Sequence, residues 1–167
     1  MPTILKLSDL DGRGVLAFDL RHLLPLVEGV ASDLVWRVLP AAETTWLLGT
    51  ASAVIPVQQF SIRVDDSKDG VDLSWIELQD LAESIHQTVC CTFIAARLGT
   101  ALPDLANMFL DEWRYVDRAA VSFYEAIEIA FQAVDSSFWL VYIRKGDLRE
   151  RIREAFEDVE SIDRDCE

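Results

Sequence analysis

The sequence predicts an α+β fold: one compact domain over residues 1–162, mostly antiparallel sheet with amphipathic helices packed on it, then a charged, frayed tail over 163–167. Three observations carry this. Short runs with a two-residue apolar period, or apolar on both faces, recur along the chain. Between them stand stretches with apolar residues at three- and four-residue spacing. The strands follow one another through turns rather than in strict β-α-β alternation, which favours antiparallel pairing. At 167 residues and 51% hydrophobic, the chain can bury a core without metal or disulfide staples.

Residues 14–18 form a short apolar strand candidate, and Asp19 follows as a helix N-cap. Leu20, Leu23, Leu24 and Val27 then repeat at helical spacing. Pro25 predicts a kinked or two-piece helix ending near Gly29. Residues 33–39 alternate as a strand closed by Pro40, with 46–48 as its return partner. Residues 60–64 read as another strand, with Phe60, Ile62 and Val64 inward.

The sharpest boundary comes at Leu73-Ser74-Trp75-Ile76-Glu77-Leu78, a capping box with a hydrophobic staple. It opens a helix with Leu78, Leu81, Ala82 and Ile85 on its apolar face, running to about Gln87. Residues 88–96 are β-rich and apolar on both faces, as in an interior strand. Pro103 sits near the start of a helix whose face is Leu105, Phe109, Trp113 and Val116.

Ile127, Ile129, Phe131 and Ala133 alternate as a strand, and a helix over 121–130 is the competing reading. Asp135-Ser136-Ser137 turns this strand into Phe138–Ile143, a run bulky on both faces. One of those faces is expected to lie under a terminal helix capped by Asp147, with the stripe Leu148, Ile152, Phe156 and Val159. Other helices of the chain are expected on the second face, with a partner as the alternative.

Charge narrows the function. Twenty-nine Asp and Glu against fifteen Lys and Arg give a net charge of −14. Such a field repels phosphate backbones and anionic lipid surfaces, so neither nucleic acid nor membrane is expected as a partner. No apolar run of bilayer-spanning length occurs near the N-terminus, and the expected location is cytoplasmic. Cys90, Cys91 and Cys166 are odd in number, two of them adjacent, and make no disulfide framework.

Motifs for chemistry are sparse. Residues 65–77 resemble a calcium loop in placing Asp65, Ser67, Asp69 and Gly70 at positions 1, 3, 5 and 6. Ile76 falls at position 12, where a bidentate Glu is required, so a polar turn feeding the capped helix is the better reading. His22 and His86 are the only histidines, and no spacing ties either to a cysteine nucleophile or a metal. Phosphate-cradling and nucleophile-elbow motifs are absent. The cations Arg144, Lys145, Arg149, Arg151 and Arg153 are interleaved with acids and read as a solvated helix face. The sequence therefore assigns no catalytic, cofactor-binding or metal residue, and catalysis is the less favoured class.

What remains is a non-catalytic acidic module that binds a protein, for example an immunity-type or inhibitor protein masking a basic partner. The alternatives are a homo-oligomeric assembly protein, suggested by a mean hydropathy of +0.17, and an enzyme without a recognisable motif. Trp36, Trp46, Trp75, Trp139 and Tyr142 are the candidates for the partner surface, because Trp and Tyr are enriched at binding hot spots. Trp113 belongs to a helical stripe and is assigned to the core.

Overall fold

The computed structural model describes residues 2–41, 44–50, 55–112 and 115–163, the backbone alone over 108–112. In chain order the elements are β1 (Thr3–Leu7), α1 (Leu20–Ala31), β2 (Leu34–Leu39), β3 (Trp46–Gly49), α2 (Val57–Asp66), β4 (Val71–Leu73) and α3 (Trp75–Ser84). There follow β5 (Ile85–Arg97), α4 (Leu102–Glu112), a 3-10 turn (Val116–Arg118), α5 (Val121–Ala126), β6 (Ile129–Val134), β7 (Phe138–Ile143), α6 (Gly146–Ala155) and β8 (Val159–Asp163). The strands make one antiparallel sheet in the order β4-β2-β5-β6-β7-β1-β8, and β3 pairs with β5 beside that path. The α+β class and the antiparallel sheet are as the sequence predicts.

Both faces of Phe138–Ile143 are covered by the chain itself. Trp139, Val141 and Ile143 enter one core with Leu23 and Val27 of α1, Leu78 and Leu81 of α3, and Leu148 and Ile152 of α6. Leu140 and Tyr142 enter a second core with Leu105 of α4, Val116, and Phe123 and Tyr124 of α5. The centre of the sheet is thus buried on both sides, which is why its strands read as continuous apolar runs.

Local signals account for the helix starts. The Asp19 side chain accepts from the Leu20 backbone N–H at 2.6 Å, and His22 Nδ1 accepts from the Asp19 N–H at 2.9 Å, closing a capping box. Ser74 and Glu77 close the second box, as the sequence predicts. Pro103 stands in the first turn of α4, where its missing N–H costs nothing.

Several expectations are corrected. Residues 60–64 are helical, within α2: Val57, Phe60 and Val64 point inward at helical spacing, and Ile62 is 61% exposed where a strand required it inward. The run fits both periods over so short a window, and packing of α2 on β3 selects the helix. α1 runs unbroken through Pro25 to Ala31. Residues 14–18 contribute only an isolated bridge, Leu10 to Leu16. β3 pairs with β5, not with β2. α3 stops at Ser84, three residues short, because Ile85 already begins β5.

The two readings of 121–130 share the segment: helix to Ala126, strand from Ile129. α6 begins at Gly146 after the cap residue Lys145, and Asp147 lies in its first turn. It stops at Ala155, where Asp9 accepts the backbone N–H groups of Glu157 and Asp158 and draws the chain into β8. Phe156 packs its ring on Phe18 at 4.5 Å, and Val159 starts a strand. Asp163 ends β8, so the predicted tail loses its first residue, and 164–167 lie outside the described residues, as does Trp113. The strand β1 has no counterpart in the sequence reading.

One side chain holds the α5–β6 junction. The Arg144 guanidinium donates to the carbonyls of Tyr124, Glu125 and Ile127, and pairs with Glu128 at 3.3 Å. These are carbonyls that the end of a short helix leaves without intrahelical donors. Replacing Arg144 by Met is expected to cost about 2–4 kcal/mol in urea unfolding, because the carbonyl of buried Ile127 loses these donors and Glu128 loses one cationic partner. Faster amide exchange in α5 should accompany it; an unchanged urea midpoint refutes this role.

Candidate functional site

Two irregularities in the β3–β5 pairing build the most distinctive surface. Trp46 pairs with Cys90, Leu47 with Thr88, Leu48 with Gln87 and Gly49 with Ile85, so the register slips twice within four residues. Paired residues share a face. Leu47 and Thr88 therefore turn toward the α1 side, where both are buried. Trp46, Cys90, Leu48 and Gln87 turn to the opposite side.

There Trp46 is 55% and Leu48 40% exposed, and Cys90 is half-buried. A large indole and a leucine side by side on a strand face, both open to water, are costly to leave uncovered. Thr44, exposed, continues the alternation two residues before Trp46, and Thr45 between them is buried. Cys91 pairs with Ala133, so Cys90 flanks Val134, and Val134 in turn pairs with Phe138. Trp46, Cys90, Val134 and Phe138 thus form one row across four strands.

The Asp65 carboxylate of α2 accepts from the Thr45 N–H at 2.9 Å. Val57, Phe60 and Val64 of α2 pack with Leu47 in the core on the α1 side, so the helix that carries Asp65 lies across the sheet from the face that bears Trp46. The exposed Asp135 follows Val134 in the β6–β7 turn.

Gly49 fixes the wing in place. A Cβ there would lie 2.3 Å from the Ser84 carbonyl oxygen and 2.6 Å from Val57 Cγ2. The strand end can approach the α3–β5 junction only without a side chain.

The five partner-facing candidates separate sharply. Trp36 (1% exposed), Trp139 (0%) and Tyr142 (5%) lie in the interior and offer no surface to a partner. Trp36 donates from Nε1 to the Ala31 carbonyl at 3.0 Å and packs on Phe131. Tyr142 donates its hydroxyl to the Tyr124 carbonyl, and burial pushes its phenol pKa up. Trp75 is half-buried, its ring tilted on Trp36 at 6.0 Å. Only Trp46 among the five is open. Leu48 escapes the sequence reading, because a segment paired with an interior strand gives no sign of an open face.

A second feature is a cleft of about 230 Å³ near the start of β5, lined among others by Arg13, Asp19, His86, Gln87, Thr88 and Ser136. Asp19 is its buried acid. Burial raises its carboxyl pKa above the usual aspartate range, against the opposing effects of the Thr88 hydroxyl, the backbone N–H groups of Leu20 and Thr88, and His22. The Thr88 hydroxyl donates to Asp19 at 2.6 Å. The carboxylate thus ties the start of α1 to β5, and its acceptors are taken up by structural donors.

A group whose pKa is raised on folding binds its proton more tightly in the native state, so its contribution falls as pH rises. Ionising Asp19 should therefore cost stability as pH climbs from the ordinary aspartate value of 3.8 through the raised native one. Asp19→Asn keeps an N-cap acceptor and cannot ionise. Its stability relative to the parent should rise with pH across that window and then level off. A difference flat in pH would contradict the raised value.

The calcium-like run does other work. Asp65 holds the Thr45 N–H, Asp72 pairs with Arg37 at 2.7 Å, and Glu77 belongs to the capping box. His86 and Cys90 stand four residues apart on β5, about 13 Å along an extended strand. Cys91 is buried, which pushes its thiol pKa well up, away from a reactive thiolate. Among the described residues, no group of three or more His, Cys, Asp or Glu is placed to hold a metal, and no helix is long and apolar enough to cross a membrane.

The chain matches no protein-family model, no curated protein and no solved structure.

Proposed function

We propose that this protein is a non-catalytic binding module that engages a basic polypeptide through the wing of the sheet bearing Trp46 and Leu48. The observation that carries the reading is the exposed indole of Trp46 beside Leu48 on a chain of net charge −14. An apolar anchor provides affinity once desolvated, and the anionic field favours encounter with a cationic partner over other proteins. An immunity or inhibitor protein that masks a basic effector fits these two properties. A second copy of the chain fits less well, because two bodies of −14 repel across any shared face.

The test is a photo-crosslinking residue at position 48 in cells that make the protein, followed by affinity measurement with the captured partner. The expected result is one basic polypeptide whose binding weakens with added salt and falls about tenfold or more in Trp46→Ala. Light scattering should give a monomer of 18.8 kDa. A stable dimer closed over position 48, or a captured partner indifferent to both salt and Trp46→Ala, would overturn the reading.

A further inference from the structure

We infer that the free edge of β8 takes an extended segment of a basic polypeptide, which joins the sheet as a further antiparallel strand. This surface lies apart from the Trp46 wing, since β8 closes the strand order at the end beyond β1.

The backbone carries the argument. The Ser8 N–H donates to the Asp158 carbonyl at 3.0 Å, one step beyond the pair Leu7 and Val159. In an antiparallel ladder the pairs that exchange both bonds recur at every second position. Lys6 therefore exchanges bonds with Glu160, and Ile4 with Ile162. The N–H and C=O groups of Val159, Ser161 and Asp163 point the other way, to the open side of the strand. Among the described residues none of these groups finds a partner there. Such a row is a template for one more strand.

The side chains choose the occupant. Val159, Ser161 and Asp163 turn to the α6 face, where Val159 packs on the first core. Glu160 and Ile162 turn to the other face, where Ile162 packs on the second core. Glu157, Asp158, Glu160 and Asp163 are all exposed along this stretch. Two cations beside it are already engaged: Lys6 pairs with Glu160 at 3.3 Å, and Arg153 donates to the Ser161 hydroxyl at 2.8 Å. The edge keeps an excess of negative charge, which turns away a second copy of itself and draws a cationic strand. Antiparallel pairing, the rule throughout this sheet, sets an order in that strand. A cation stands opposite Asp163, an apolar residue opposite Ile162 and a small polar residue opposite Ser161. A second cation then meets Glu160, and a second apolar residue meets Val159.

The experiment titrates the isotope-labelled protein with the peptide acetyl-Lys-Val-Thr-Lys-Val-amide and follows the backbone amides of β8. Those of Val159, Ser161 and Asp163 are expected to shift and to exchange more slowly. Those of Glu160 and Ile162, bonded to β1 from the start, should change least. Replacing both peptide lysines by glutamine should weaken binding about two- to tenfold. N-methylation of the peptide threonine, whose N–H would face Ser161, should abolish binding. N-methylation of the second lysine, whose N–H would face away, should not. On the protein, Ser161→Pro removes an outward N–H and no ladder bond, so the fold should persist and binding should be lost. Ser161→Ala, which drops only the hydroxyl held by Arg153, should keep it.

Equal binding of the lysine and glutamine peptides, or binding indifferent to the position of the N-methyl group, overturns the inference. So does a concentration-dependent shift of the same three amides without peptide, which would make a second copy the occupant. A captured basic partner that loses affinity in Trp46→Ala and none in Ser161→Pro overturns the inference and leaves the Trp46 reading standing. The reverse pattern supports the edge and counts against that reading.

Discussion

Trp139→Ala is expected to lower stability by about 3–5 kcal/mol, the range for removing a fully buried indole from a packed core. Trp139 sits on β7 between Ala133 of β6 and Leu7 of β1, and stacks on Phe93 at 6.5 Å. Ala133 beside it leaves the room that the indole occupies. Truncation therefore opens a cavity in the centre of the sheet, walled by strands on both sides that cannot collapse into it. Trp46→Ala should stay within about 0.5 kcal/mol of the parent, as is usual for an exposed position. Urea unfolding of the two variants side by side separates a structural tryptophan from a binding one. Similar losses in both would contradict the assignment of Trp46 to an open face.

Gly70→Ala is the second large effect, expected at about 2–5 kcal/mol. Gly70 takes φ +91° in the turn between α2 and β4, where a side chain is strained. An added Cβ would also lie 2.3 Å from the Val38 carbonyl oxygen, an atom of the β2 backbone. β2 cannot yield, because it pairs with β4 on one side and β5 on the other. The turn cannot yield either: Arg37 of β2 pairs with Asp72 and donates to the Asp69 carbonyl at 2.8 Å, clamping both flanks of Gly70. Gly14→Ala provides the control. Its φ is +77° but nothing lies within 4 Å of the added Cβ, so it should show the backbone strain without the clash, about 1–2 kcal/mol. Equal losses at the two sites would show that the approach of Val38 is not what fixes Gly70.

The candidate surface is only partly legible in the sequence. Tryptophan is the right residue type, and Trp46 is among the five candidates. Composition offers no means of separating it from Trp36 and Trp139, since a core and a hot spot both select large aromatic side chains. What separates them is the double slip in β5, which exists only once β3 is laid against it. Leu48 follows the same logic. Asp65 reaches Thr45 across 20 positions, and the bond between Asp19 and Thr88 spans 69; no local pattern announces either.

By itself the sequence determined what short-range physics controls. The N-cap at Asp19, the capping box at Ser74, the proline in the first turn of α4, the turn at Asp135-Ser136-Ser137 and the two-sided run Phe138–Ile143 all depend on neighbours within a few residues. Tertiary structure decided the rest: residues 60–64 as helix, the end of α6 at Ala155, the pairing of β3 with β5 and the place of β1 between β7 and β8. At each of these points two local conformations lie close in free energy over a short window. The choice falls to the one that buries its apolar side chains against an element distant in the chain, and that element is invisible until the sheet has formed.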